Sequence, residues 1–466
     1  MNFHPSGTRK VVGGFDGGRI TSDGGAFLLR ELEAKTGIVA GFAQCFDDFR
    51  DPNLTEHSLF ELLAQRIFGL VMGYEDLNDH DALRTDPALA LAAGKDDPEG
   101  GGRRREADKG APLAGKSTLN RLELGPAGGV PADARYKKIA VDPGRAADWF
   151  VETFLRSRGG PPPLVVLDAD ATDDPLHGEQ EGRFFHGYYK EYCYLPLYIF
   201  CGRDLLSAKL RPGDCDASAG TKEELERIVA QIRACWPGVR VLLRGDAGFC
   251  REEIMAWCEA NGVDYILGLP KNARLLERIA AEAAEAAAAF ARTGEPSRAF
   301  ASFFCRTLGS WGRERRVVAK AEHLGGGANP RFVVTSLEGD ARGLYEDVYC
   351  ARGDMENRVK EQKQMFSDRT STHWMGSNQV RLWLSAAAYT VAQALRREGL
   401  RGTAMESAEC ATVRARLLKV GAVVKVSVRR VRAWFSESWP FAGLFRRALE
   451  NLRAMRPWPG AQPMLC

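Results

Sequence analysis

Two apolar runs in the middle of the chain, PLVVLDAD (163–170) and VRVLLRGD (239–246), each end in aspartate. Short Val- and Leu-rich runs of this kind read as buried strands. Aspartate is a poor strand former and is seldom buried without a partner. Such a chain must build a sheet whose apolar strands carry acid at one end. The apolar residues before each acid supply a rigid, water-poor base. Asp168 and Asp170 stand two apart on the first run, so their side chains share one face of the sheet.

The text around these runs alternates between strand and helix, which predicts an α/β fold. RFFHGYYK (183–190) and CYLPLYIF (193–200) are aromatic, β-rich runs that read as an antiparallel meander. KEELERIVAQIRACW (222–236) and REEIMAWCEANG (251–262) are helical, and DYILGLP (264–270) is another strand. An alanine-rich helix is expected from about Leu275 to Ala289. FASFFCRTLGSW, RRVVAKAEHL and PRFVVTSL then read as a small β module, and a long helical region as running from about Tyr345 to Arg397. Helical spacing in EHSLFELLAQRIFGLVM (56–72) marks the N-terminal part. Gly- and charge-rich DDPEGGGRRREADKGAP (96–112) and stiff GGPPPL (159–164) read as linkers. The expected organisation is a mainly helical region over 1–158 and an α/β core over 159–290. A β-rich insertion over 291–342, the last core helices over 343–400, and a basic region over 401–466 complete it.

At 466 residues the chain is long enough for several cores. The N-terminus lacks the apolar centre of a signal peptide, and no run approaches the roughly 18 apolar residues of a membrane span. Eleven scattered cysteines with no CxxC pair argue for reduced thiols in a cytoplasm, and against a zinc site or a disulfide framework. Net charge is only +3, yet residues 396–466 carry a local excess of basic side chains. That excess reads either as a solvated face or as a polyphosphate-binding tail.

The acids at 168–170 admit two chemistries. LDADAT matches the DxDxT pattern of haloacid dehalogenase-like phosphohydrolases, in which the first aspartate is the nucleophile and the second the general acid. That reading also needs a parallel sheet, a lysine and a late acidic pair. RGDAGF lacks the second acid, and the text after Asp170 turns into the meander. The other chemistry holds two divalent ions for phosphodiester cleavage. Magnesium takes oxygen ligands, so carboxylates from separate elements suffice. An RNase H-like fold places the first acid on a central strand, the second at the end of a neighbouring strand and the third on a late helix. Asp170 and Asp246 supply the first two.

YCARGDMENRVKEQK (349–363) supplies the third. At about 100° per residue, with Arg352 at zero, Tyr349 falls near ~60°, Glu356 near ~40° and Lys363 near ~20°. Met355, Val359 and Phe366 form an adjoining apolar stripe, and Glu361 points away. An acid between two cations on one face suits metal at the acid and phosphate at Arg352 and Lys363. A surface helix with i,i+4 ion pairs is the plainer reading of the same residues.

With these residues in place, the chain resembles the insertion-sequence DDE transposases of bacteria. Tyr349, Arg352, Glu356 and Lys363 have the spacing of the YREK signature of the IS-four-like group. LDADATDDPLHGEQEG, LPLYIFCG, LRPGD, LLRGDAGF and LLKVGAVVKVSVRRVR resemble the thirteen-eighty family within it, from GGRITSDGG to the basic C-terminus. The resemblance implies that Asp170, Asp246 and Glu356 are a catalytic, metal-holding triad, with Mg²⁺ or Mn²⁺ in a two-metal site. It implies that Tyr349, Arg352 and Lys363 contact DNA, that the helical region over 1–158 binds DNA, and that 159–290 is the first part of an RNase H-like catalytic core. Asp168, on the same face, stays open as a helper or a structural acid. The implied reaction is cut-and-paste transposition: hydrolysis at the element end frees a 3′-OH, which attacks a target strand or first the opposite strand. The implied partners are terminal inverted repeats and target DNA, bound by a homodimer, with no membrane and no ATP.

Other features have plainer readings. GAPLAGKS (110–117) fits the Walker A pattern, but GGRRREADK before it cannot be the buried strand a P-loop needs. Trp311 stacks on an unpaired base or simply packs. His177 caps a turn or touches DNA or metal, His186 is structural, and Asp173 and Asp174 face solvent. A DNA-binding protein with a dead core is a third class, but every acid of the pattern is present.

Overall fold

The computed structural model describes residues 1–125 and 136–461. Parts of two expected regions, residues 126–135 of the N-terminal one and 462–466 of the basic one, lie outside the described residues. The chain divides into two units. One comprises residues 147–360 and 370–382, the other residues 1–146, 361–369 and 383–466.

A nine-stranded mixed sheet organises the first unit. Its strands in chain order are β1 (Leu164–Ala171), β2 (Leu197–Cys201), β3 (Asp204–Lys209), β4 (Arg240–Gly245) and β5 (Asp264–Leu269). Then come β6 (Ser297–Cys305), β7 (Arg315–Leu324), β8 (Gly327–Ala328) and β9 (Arg331–Thr335). The spatial order is β3-β2-β1-β4-β5-β9-β7-β6, with β8 beside β7. β2 runs antiparallel to both β1 and β3, whereas β1, β4 and β5 are parallel. β5 to β9, β9 to β7 and β7 to β6 are antiparallel. The fold is therefore mixed α/β, as the alternating text predicts.

The two faces of this sheet are buried differently. Val165, Leu167 and Ala169 of β1 join a large core with Leu225, Ile228 and Ile232 of the helix α1 (Thr221–Cys235) and Ile254, Met255 and Cys258 of α2 (Glu252–Ala260). Each such buried Leu or Ile stabilises the fold by about 1.5–3 kcal/mol. On the other face Leu242, Ile266, Val318 and Val333 pack under Leu344 and Tyr345, with Leu164, Val166, Val348 and Tyr349 around them. The segment leading to Glu356 is thereby pinned to the sheet.

Three readings of the sequence change here. The strands expected to form a β module continue the main sheet through the β5–β9 ladder. Of the aromatic meander, only Leu197–Cys201 enters that sheet. Phe184–His186 and Glu191–Tyr194 pair in a separate small sheet with Asp174–Pro175. The long helix is broken: α3 (Asp354–Lys363) ends before a non-helical stretch in which Phe366 takes a φ of 64°, and a new helix starts at Met375.

The second unit is built on helices Ala26–Thr36, Leu59–Val71, Lys116–Glu123 and Ala442–Ala454, together with an exposed hairpin of Asn2–Ser6 and Arg9–Val12. Helix Leu59–Val71 starts in a capping box: Ser58 Oγ accepts from Glu61 N at 3.2 Å, and Ser58 N donates to Glu61 Oε2 at 2.8 Å. Buried Asp23 accepts from Tyr74 Oη at 2.6 Å and Lys419 Nζ at 2.7 Å, which ties GGRITSDGG to the LLKVG segment. Gly25 has no room for a side chain, since a Cβ there would lie 2.2 Å from Leu418 Cα. No described helix is long and apolar enough to cross a membrane, and the ten described cysteines are free.

Candidate functional site

Strand alternation puts Asp168 and Asp170 on the face of β1 that carries Leu164 and Val166. The parallel ladder pairs Asp168 with Arg244 and Ala169 with Gly245. Asp246 follows directly, at the strand end. Both apolar runs thus bring their acids to the same edge of the sheet.

Asp168 is fully engaged. Arg244 Nε donates to its Oδ1 at 2.6 Å and Nη2 to its Oδ2 at 2.8 Å. Arg244 Nη1 donates to the Val348 carbonyl at 2.9 Å. One guanidinium therefore joins β1, β4 and the segment that precedes Glu356. Burial raises the Asp168 carboxyl above the usual carboxylate range, and Arg244 draws it back.

Asp170 is held differently. Arg352 Nη2 donates to its Oδ1 at 2.8 Å, the Ala171 backbone also bonds it, and its side chain is 17% exposed. Burial pushes its carboxyl up to about 6; Arg352 opposes that rise, while the charges of Asp246 and Glu356 add to it. Asp246 caps the turn Ala247–Phe249, with its Oδ1 accepting from Gly248 N at 2.8 Å. Glu356 is exposed in the first turn of α3. The charges of two carboxylates on two other elements therefore bear on Asp170.

The backbone that delivers Arg352 is not the regular helix of the sequence projection. Leu344–Tyr349 is a π-turn and Cys350–Gly353 a 3₁₀ turn, and only then does α3 begin. Turns of this kind recur where a side chain must be re-aimed. Tyr349 Oη packs over Gly268, where a Cβ would stand 2.8 Å from that oxygen and 2.8 Å from Ala247 N. Burial raises the Tyr349 hydroxyl, Arg352 lowers it, and Asp246 raises it further. Met355 and Val359 are buried as the stripe predicts, whereas Phe366 lies beyond the helix end. Lys363 is the last residue of α3 and falls in the other unit, as does Glu361, which accepts from Arg396 Nη1 at 2.9 Å.

Sequence reading missed three residues here. Arg244 stands two positions before Asp246, and a parallel register of the two apolar runs sets it opposite Asp168. Gly268 gave a signal only as a small residue inside a strand. Tyr189 gave none: its hydroxyl donates to the Ala171 carbonyl at 3.3 Å. Burial raises that hydroxyl first, and the charges of Asp173, Asp170 and Asp246 add to the effect. Other expectations are corrected. Asp174 is buried, not solvent-facing, because it pairs with Tyr194 in the small sheet. Trp311 is 5% exposed within the main core, beside the Arg315 guanidinium, so it packs. Lys116 of the Walker-like stretch donates to Asn78 Oδ1 at 3.1 Å, and no strand leads into Gly110–Ser117.

Carboxylate oxygens are the ligands a hard divalent cation takes. The negative charges of Asp246 and Glu356 bearing on half-buried Asp170 are the electrostatic demand such a cation meets, so the donor chemistry fits. Among the described residues no three His, Cys, Asp or Glu side chains are grouped closely enough to hold an ion as they stand. Arg352 supplies the counter-charge at Asp170 instead. The phosphohydrolase alternative fits poorly. Its nucleophile would be Asp168, whose two oxygens are both held by Arg244, and the strand after Asp170 returns antiparallel.

Comparison with curated proteins gives no match. Among solved structures, the cryo-EM structure of the piggyBac transposase synaptic complex with hairpin DNA is similar at 12% identity and a TM-score of 0.41, over 86% of this chain and 81% of that one. The family model described as Transposase DDE domain group 1 matches residues 3–457. A match over nearly the full length places the chain in that family: it is a DDE transposase, an enzyme of DNA cleavage and strand transfer.

Proposed function

We propose that this transposase binds the terminal inverted repeats of an insertion element as a homodimer and moves the element by cut-and-paste, with Asp170, Asp246 and Glu356 as its catalytic triad. The observation that carries this is the convergence on Asp170: the charges of Asp246 and Glu356 both raise its carboxyl, although the three acids come from three elements. The strand order β3-β2-β1-β4-β5, with β2 alone reversed among them, supports an RNase H-like core with β6 to β9 as the insertion between the second and third acids. The YREK spacing supports membership of the IS-four-like group, and LDADATDDPLHGEQEG, LPLYIFCG and LLRGDAGF support the thirteen-eighty family within it.

Asp170, Asp246 and Glu356 would hold Mg²⁺ or Mn²⁺. When bound, the cations supply Lewis acidity toward the phosphodiester under attack. Asp168 stays out of this role, because its oxygens are spent on Arg244. Arg244 sets the distance between β1 and the Val348 backbone, and so the place of Glu356. Arg352 pairs with Asp170, and with Asp170 engaged as a metal ligand its guanidinium would be available to a DNA phosphate. Tyr349 positions the DNA end from its seat on Gly268, and Lys363 holds phosphate.

Cleavage of an end-labelled duplex carrying the element terminus tests this reading. Asp246→Ala and Glu356→Ala should lose strand cleavage and keep end binding. Retained cleavage by either variant would remove that residue from the triad.

A further inference from the structure

The hairpin of β10 (Ala422–Ser427) and β11 (Arg430–Phe435) forms a three-stranded sheet with Ile20–Thr21. Its register sorts the side chains into two faces. Ala422, Val424 and Phe435 lie on one; Ala422 and Val424 are buried, and Phe435 packs against Phe27 and Phe445. The opposite face carries Val423 across from Trp434, Lys425 across from Arg432, and Ser427 across from Arg430. Lys425, Arg429, Arg430 and Arg432 are all exposed, and among the described residues none has an acidic partner. Trp434 is 49% exposed in the same row.

This arrangement works against the hairpin's own stability. Like charges directly opposite each other across a ladder are destabilising. The two-residue turn, Val428–Arg429, has neither the glycine nor the asparagine that tight hairpins favour. Val428 is fully exposed at the tip, and Val431 is 40% exposed beside it. A surface with these features is explained by a polyanion that covers it.

We infer that the β10–β11 ribbon docks in the major groove of duplex DNA, with Lys425, Arg430 and Arg432 on phosphates and Trp434 at its base. The major groove, about 12 Å wide, admits a two-stranded ribbon. The inference rests on the proposed DNA-binding function and assigns part of it to a surface remote in sequence from the acids.

The test uses the full chain and a fluorescein-labelled 40-base-pair duplex of random sequence, in EDTA, with anisotropy read from 50 to 200 mM NaCl. Removing one phosphate-bound cation should lower the slope of log K against log salt by about 0.9, so K425A/R430A/R432A should lower it by about 2.7 and weaken binding at least tenfold at 100 mM. Its thermal midpoint should hold or rise, because the stacked cations are gone. R446A/R447A/R456A removes the same charge from elsewhere in that unit and should leave the slope within about 0.9 of wild type. An unchanged slope in the ribbon variant, an equal fall in the second variant, or a lowered thermal midpoint would each overturn the ribbon while leaving the DNA reading intact. A wild type that binds no duplex would overturn both.

Discussion

Asp170→Asn should make the protein more stable while removing its chemistry. Burial and two neighbouring carboxylates lift the Asp170 carboxyl from 3.8 to about 6. The folded state therefore binds this proton more tightly than the unfolded state does. Below pH of about 4 the group is protonated in both states and costs nothing. As pH rises from about 4 to about 6, the unfolded chain ionises first and stability falls. Above that range the loss is complete, and two units at 1.36 kcal/mol each make it about 3 kcal/mol. Asparagine keeps an oxygen for Arg352 Nη2 and removes the titration. Urea unfolding in EDTA from pH 4 to 7.5 should show the two proteins alike at pH 4 and the variant ahead by about 3 kcal/mol at pH 7.5. Other carboxylates titrate in both proteins and cancel in the difference. Adding Mn²⁺ should then raise the wild-type transition more than that of the variant. A variant no more stable at pH 7.5, or a difference that does not change with pH, would refute the placing of a strained carboxylate there.

Further outcomes follow from the same geometry. Arg244→Met leaves Asp168 charged and buried without its partner, so unfolding should become easier by about 3–5 kcal/mol; adding Asp168→Leu should recover most of that, as read by urea midpoints. Gly268→Ala drives a methyl group into Tyr349 Oη and the Ala247 backbone. It should cost about 1–3 kcal/mol and slow cleavage, whereas a neutral result in both assays would mean that Tyr349 can shift freely. Lys419→Met strips the charge partner from Asp23, which is 1% exposed. The thermal midpoint should drop by several degrees, with a loss of about 3 kcal/mol, and Asp23→Asn in the same background should restore part of it.

The sequence made the acid-bearing strands legible because two signals coincide in each: an apolar run long enough to be buried, and a carboxylate too costly to bury within it. Period-two alternation then set Asp168 and Asp170 on one face, but it could not say which acid is spoken for. That depends on a cross-strand partner, Arg244, and hence on a parallel register that no local pattern encodes. The helical projection brought Tyr349, Arg352 and Glu356 together by assuming a uniform 100° step. In the structure Tyr349 ends a π-turn, Arg352 lies in a 3₁₀ turn and only Glu356 is in the α-helix, so Arg352 reaches Asp170 by an irregular path. Sheet membership was the least legible. β6, β7 and β9 have the same strand text whether they stand apart or join β5, and only the β5–β9 ladder decides it. Asp174 went astray for a related reason, since its burial comes from pairing with Tyr194, twenty residues on.

The most direct test of the central claim is cleavage of a labelled duplex carrying the element's own end, with Mg²⁺ or Mn²⁺ and no ATP, by wild type beside Glu356→Ala. Metal-dependent release of a 3′-OH by the wild type alone is the expected result. Equal cleavage by both proteins, or cleavage that persists in EDTA, would contradict a metal site built on Asp170, Asp246 and Glu356.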